Sequence, residues 1–339
     1  KPWLALFTVL GIVGTALLAG VGVGNWQIAM LLFVLASVGF FSANSLYDAM
    51  LIDVAAPEAF DRVSALGYAF GYLGGALLFT VSVALLARPA SFGLASQSAA
   101  IQVTFVLVAI WWTVFSLPLL LWVDERCRTP APVAGAFRAG LRQLRITVRA
   151  LGTDRNLLWF LAAYWLYIDG VYTIIKMAVD YGLSQGLSAA DVTGAILLTN
   201  FLGFPAAIGF GALGQRFGPR PAIYLALAVY VVATLFAVFL TTVAQFYALA
   251  AAIGLVQGGV QSLSRSLYAR LIPPERSGEY FGFFNMLGKF SSILGPVMAG
   301  TAALVTGSQR VGILSILVLF VAGFWLLTRV EVPAGRAVP

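Results

Sequence analysis

Residues 44–75, NSLYDAMLIDVAAPEAFDRVSALGYAFGYLGG, are echoed by residues 264–296, SRSLYARLIPPERSGEYFGFFNMLGKFSSILGP. Ser45-Leu46-Tyr47, Ala56-Pro57-Glu58 and Gly67 find counterparts in Ser266-Leu267-Tyr268, Pro273-Pro274-Glu275 and Gly282. Lys1-Pro2 likewise answers Arg220-Pro221, and the offsets run from 215 to 221 residues. In each copy an apolar run ends in Ser-Leu-Tyr, passes a Pro-Glu turn and gives way to a second apolar run. Repetition at this distance marks a duplicated multi-helix unit, a common plan among membrane proteins that move solutes.

The apolar runs continue outward from these two stretches over the whole chain. Of its 339 residues 61% are hydrophobic and 10% charged, too few charges to cover a water-facing surface of that size. A bilayer core needs about 20 apolar residues in a helix, and ten stretches meet that need. They are Trp3–Val21, Gln27–Leu46, Val63–Leu86, Ile101–Val123, Asn156–Ala178, Val192–Leu213, Pro221–Leu240, Gln245–Leu263, Tyr280–Val305 and Val311–Val330. They lack the alternation of a barrel strand. Helices satisfy their backbone groups internally in lipid, so the expected class is an all-α membrane bundle of ten transmembrane helices.

The net charge of +7 follows from topology and calls for no nucleic acid. Of the twenty Lys and Arg residues, Arg88 and Arg310 fall on one side of the ten spans and Lys176 and Lys289 within them; the other sixteen share the opposite side. The positive-inside rule makes that side cytoplasmic and puts both termini there, with the plasma (inner) membrane as the expected location. The absence of His and the single Cys127 remove the usual general base, the commonest metal ligand and any internal disulfide. No phosphate-binding Gly-rich loop is present, so no nucleotide hydrolysis is expected. The expectation is a protein that is not an enzyme, with no cofactor and no metal, acting as a monomer whose partners are the lipid bilayer, a small-molecule substrate and protons.

The repeat divides the chain into an N-terminal half over 1–123 with four helices, a basic linker over 124–155, a C-terminal half over 156–330 with six, and a tail over 331–339. Aligning the halves at an offset of 219 residues leaves two helices, about 63 residues, expected before Lys1. In the linker Arg138, Arg142, Arg145 and Arg149 share one helix face, with Phe137, Leu141, Leu144, Val148 and Leu151 opposite. This is the pattern of an amphipathic helix on the membrane surface.

Residues 211–221, GALGQRFGPRP, resemble the loop signature of the major facilitator superfamily, Gly-x-Leu-Ala-Asp-Arg-x-Gly-Arg-Lys, through Gly211, Leu213, Arg216 and Gly218. Gln215 stands where that pattern has Asp, which bears on the charge pairing this loop uses as a conformational latch. Asn44–Gly75, Tyr167–Ile174 (YIDGVYTI) and Ser264–Pro296 are similar to the branch containing the autophagy-related vacuolar effluxer and its bacterial relatives. The resemblance implies a major-facilitator-type bundle, four of the first six helices plus all of the second six, and in the vacuolar members a role in amino-acid export. It implies a cavity lined by the first, fourth, seventh and tenth helices of the superfamily fold; Asn44, Asp169, Gln257 and Gln261 lie on the last three.

Ionisable groups inside a bilayer are expensive and mark functional sites. Asp169 lies about 20 Å up its helix and Lys289 about 14 Å up its own, at 1.5 Å per residue; Asn200 and Gln257 fall at comparable depths. These four, with Gln261 and Asn44, form the expected substrate- or proton-binding set. An acid in low dielectric can carry a proton, and Asp169 with Lys289 would suit a zwitterion. The structural alternative is an ion pair between them that joins two helices. Gln257, Gln261 and Arg265, spaced by four, read as one polar stripe. Asp48 at the cytoplasmic end is expected to join Arg62 or Asp53 in a gate, with Arg265, Gly211, Arg216 and Gly218 as further gate or loop residues. Gly67, Gly71 and Gly75 read as a helix-packing ridge, and Gly295-Pro296 as a kink. The function these features suggest is a proton-coupled secondary transporter of a small solute working by alternating access; the alternative is a membrane scaffold or receptor on a transporter fold.

Overall fold

The computed structural model describes residues 1–22, 24–124, 140, 142, 146–147, 149 and 151–332. Cys127, most of the linker stripe (Arg138 and Arg145 among it) and the tail from residue 333 lie outside the described residues. The described residues are helical almost throughout: α1 (Pro2–Leu18), α2 (Trp26–Ala49), the short α3 (Leu51–Val54), α4 (Phe60–Ala87), α5 (Gln97–Trp122), α6 (Arg155–Ser184), α7 (Ala189–Phe217), α8 (Pro219–Ala237), α9 (Val243–Leu271), α10 (Ser277–Phe290), α11 (Leu294–Thr306), α12 (Gln309–Ser315) and α13 (Leu317–Leu327). Among them nine segments are long and apolar enough to cross a membrane, α10–α11 and α12–α13 each counting as one. The tenth expected span, α1, is a shorter apolar helix of 17 residues.

Most helices run beyond the apolar stretches because polar residues cap them. Asp154 accepts from the Leu157 N–H, Ser188 and Asp191 form a reciprocal capping box, and Thr242 and Gln245 form another. Hydropathy sees only the lipid-soluble part of a helix, whereas orphan N–H groups recruit Ser, Thr and Asp a turn earlier. The sequence repeat is also a structural one: Pro57–Ala59 and Pro274–Arg276 each form a three-residue 3-10 turn, at an offset of 217. The copies then diverge. α4 runs unbroken for 28 residues, while its counterpart breaks at 291–293 between α10 and α11. Pro296 has no N–H to offer the preceding turn, which fits the break there.

Cα packing divides the chain into two compact units, Lys1–Val54 with Gly74–Thr129, and Ala55–Leu73 with Pro130–Pro339. In the first, α1 lies against α2 and α5. Gly39 approaches the α1 backbone so closely that an added Cβ would stand 2.7 Å from Gly11 Cα, and Trp112 covers Gly11 while meeting Phe40 edge-on at 5.8 Å. In the second, Tyr268 stacks on Phe160 and Phe284 at 5.8 and 4.6 Å and donates from its hydroxyl to the Tyr280 carbonyl. The packing ridge expected of Gly67, Gly71 and Gly75 is not seen at Gly71, where a Cβ would meet nothing within 4 Å. The close contact of that helix falls one residue on, at Tyr72.

Replacing Gly39 with Val puts branched carbons where the α1 backbone lies and is expected to destabilise the protein by about 1–3 kcal/mol. Thermal unfolding in detergent should show a lowered midpoint; an unchanged one would mean that α1 and α2 do not pack as described.

Candidate functional site

One face of α4 carries Asp61, Ser64, Ala65, Tyr68 and Tyr72, at the three- and four-residue spacing that aligns side chains on a helix. In the second unit this face forms a buried seam with α7 and α9. Asp61 is 1% exposed. It accepts from the Arg270 guanidinium at 2.8 Å and from the Ser266 hydroxyl. Arg265, 3% exposed, donates to Ser64 Oγ at 2.9 Å and to the Ser64 carbonyl at 3.0 Å, and its guanidinium lies 5.0 Å from the Tyr68 ring centroid. Ser64 donates in turn to the Ser262 carbonyl at 2.7 Å. Buried charge is tolerated here because Asp61 and Arg265 have hydrogen-bond partners on the facing helix.

Glycines let the seam close. Added Cβ atoms at Gly203 and Gly258 would each stand 2.9 Å from the Tyr72 ring, so that ring fills the hole the two glycines leave between α7 and α9. Its hydroxyl donates to Gln261 Oε1 at 3.0 Å. Gly211 faces Ala65, and Gly214 faces Asp61 and Leu263. Gly218 turns the chain from α7 into α8 with φ of +87°, which only glycine adopts without strain. The glycines of the 211–218 loop signature thus receive α4 and make the turn. Arg216 is exposed, 5.2 Å from the Phe217 ring, and Gln215 is exposed beside it.

Asp169, also 1% exposed, stands apart from this seam. Both its carboxylate oxygens are 3.0 Å from the Gly295 N–H, and Thr173 donates to it at 3.3 Å. Gly295 is the second residue of α11, so Asp169 on α6 caps the helix that restarts after the 291–293 break. An added Cβ at Gly295 would meet Thr173 and Asp169, so glycine is needed for the approach. The exposed ammonium of Lys289 lies 5.9 Å from the ring of Tyr172, three residues beyond Asp169 on the same helix. Lys176 is exposed two turns on, and its charge reaches the carboxylate.

The remaining expected residues separate. Asn200 and Gln257 face one cavity inside the second unit, lined from α6, α7, α8, α9 and α12. Along the stripe, Gln257 faces the cavity and reaches the Tyr72 hydroxyl, Gln261 accepts from Tyr72, and Arg265 meets Ser64 with Tyr68. Asn44 lies half-buried on α2 in the first unit, and Asp48 is buried near the end of that helix. Arg62 is exposed, and its neighbour Asp61 holds the buried position. The residues sequence reading passed over are Asp61, Ser64, Tyr72, Gly258 and Arg270, and it read Gly295 only as part of a kink. The helical spacing of 61, 64, 68 and 72 was available as a signal; the partner of each was not.

A helical membrane bundle with a buried acid at a broken span is the kind of arrangement that membrane transporters use. Solved structures agree on the fold. The chain superposes on the fucose transporter FucP in its outward conformation with a TM-score of 0.72 over 97% of this chain and 82% of that one, at 14% identity. It superposes on the human organic anion transporter MFSD10 with 0.71 over 96% and 76%, at 16% identity. Residues 53–338 match the family described as "Vacuole effluxer Atg22 like", and the chain belongs to that branch of the major facilitator superfamily. It is 35% identical over 332 residues to the uncharacterized MFS-type transporter YxiO of Bacillus subtilis (strain 168), covering 96% of this chain and 76% of that protein. It is 24% identical over 309 residues to autophagy-related protein 22 of Yarrowia lipolytica, covering 81% of this chain and 51% of that protein. The chain therefore spans about half the length of the fungal relative.

Asp61→Ala leaves Arg270 without its counter-charge in the seam and is expected to cost about 3 kcal/mol. Asp61→Leu combined with Arg270→Met removes both charges and should recover most of the loss. Equal melting points for the single variant and the parent would rule out the pair as a structural tie.

Proposed function

We propose that the chain couples solute movement to proton binding at Asp169. The observation that supports this most is the cap on Gly295. A carboxylate accepts from a backbone N–H more strongly than a protonated carboxyl does. Taking up a proton would therefore loosen the start of α11, and releasing it would restore the cap. Coupling requires only that Asp169 bind its proton unequally in the two conformations of the cycle. A broken span at membrane depth is a familiar place for such a site. In alternating access the two repeats rock against each other, so the α4 face would part from α7 and α9 once per cycle. The buried seam is the gate proposed to open.

Efflux is the direction the family description favours, and an amino acid or similar zwitterion is the cargo favoured here. The exposed Lys289 ammonium beside Tyr172 supplies a cation for a substrate carboxylate, one turn from Asp169. The protein is read as a monomer in the plasma membrane with both termini cytoplasmic, on the distribution of its Lys and Arg residues. A scaffold or receptor would gain nothing from a glycine-fitted seam that can separate.

In proteoliposomes, Asp169→Asn keeps the shape and one acceptor oxygen but cannot cycle a proton. It is expected to lose proton-driven flux while retaining exchange of solute across the membrane. Undiminished proton-driven flux would refute Asp169 as the coupling group. Lys289→Gln should raise KM for amino acids by about tenfold or more with a smaller effect on turnover; an unchanged KM would refute the carboxylate contact.

A further inference from the structure

The second unit holds a partly open cavity of about 210 Å³. Its size comes from small side chains on four helices: Ala178, Ala195, Ala233, Ala237 and Ala250 line it. Space left in a packed interior forfeits contacts and costs stability in proportion to its volume. One alanine exchanged for leucine would remove much of the hole, so five alanines around it point to an occupant.

The polar groups of the wall say what kind. Thr199 donates to the Ala195 and Ala250 carbonyls at 3.0 and 3.1 Å, Thr234 to the Tyr230 carbonyl at 2.7 Å, and Tyr181 to the Ala237 carbonyl at 2.6 Å. These hydroxyl protons are spent on backbone. Two carboxamides also line the wall, Asn200 and Gln257, the second shared with the Tyr72 hydroxyl. Asn200 gives one N–H to the Ile196 carbonyl at 2.9 Å and presents its Oδ1 as an acceptor. Among the described residues no charged side chain lines the cavity. An ammonium or carboxylate brought here would lose its hydration with no opposite charge to replace it.

We infer that this cavity is a binding site for a neutral, mostly apolar small molecule bearing a single hydroxyl or amide. Its hydrocarbon body lies on the alanine wall, its polar group meets Asn200 or Gln257, and it enters by partitioning into the bilayer. The site goes beyond the transport reading and stands whatever the cargo bound near Lys289 is.

The test uses the full chain in lipid nanodiscs with benzyl alcohol as the probe and benzoate as its charged counterpart. Binding is read by saturation-transfer NMR and by thermal unfolding. Benzyl alcohol should bind and raise the melting point by about 3 °C or more at saturation, and benzoate should do neither. Ala233→Leu, or Ala250→Met should the first variant not fold, should abolish the transfer signal by filling the hole. Asn200→Leu should weaken benzyl alcohol about tenfold while leaving toluene binding intact. No binding to the parent chain would overturn the site, as would benzoate binding as well as the alcohol, or an equal signal from parent and filled variants.

Discussion

A polar group in hydrocarbon must find its partner within the protein, and every distinctive feature of this chain is a response to that demand. The main chain responds by becoming helix. Where Pro296 interrupts that solution, the exposed N–H of Gly295 is met by a carboxylate from another helix, Asp169. Where charges are buried, at Asp61 and Arg265, each is held by a hydroxyl together with a carbonyl or the part-buried Arg270 across the seam between α4 and α9. The two arrangements differ in kind. The seam joins charge to charge and hydroxyl, whereas the cap joins a single acid to a backbone dipole and leaves that acid able to change its protonation.

Glycine is the second element of the design. Seats for Tyr72 at Gly203 and Gly258, for Ala65 at Gly211 and for Asp61 at Gly214 bring helices together without interlocking large side chains. Small residues favour close approach in lipid, where apolar surface alone does not drive helices together. A contact made from glycine seats and hydrogen bonds, with the Tyr72 ring as its one large knob, suits the parting proposed for this seam.

Much of this was legible in the sequence. The apolar runs gave the helices, and the Pro-Glu echo gave a repeat that reappears as matched 3-10 turns at 57–59 and 274–276. The loop signature gave the superfamily. The helix starts at Asp154, Ser188 and Thr242 fall within a few residues of the apolar stretches, whereas the same helices run on at their C-terminal ends through polar residues that hydropathy leaves out. Asp169 was recognisable from depth alone. The Gly295 N–H that it accepts from was not, because a backbone N–H carries no mark in the sequence. On α4 the buried residue is Asp61 and the exposed one Arg62: one residue rotates a helix position by 100°, and only packing fixes which of two adjacent charges turns inward. The stripe Gln257, Gln261, Arg265 was correctly seen as one face, yet that face passes three different neighbours as it descends.

The account joins Asp169 to the seam, and accessibility at Ser64 measures that link whatever the cargo is. Ser64 has no exposed surface. A chain carrying Ser64→Cys and Cys127→Ser, reconstituted in proteoliposomes, would be exposed to a membrane-impermeant maleimide on the cytoplasmic side with and without a proton gradient. The labelling rate should change about tenfold when the gradient is imposed, and that change should vanish when Asp169→Asn is added. One and the same labelling rate with and without the gradient would contradict the coupling of this acid to the opening of the seam.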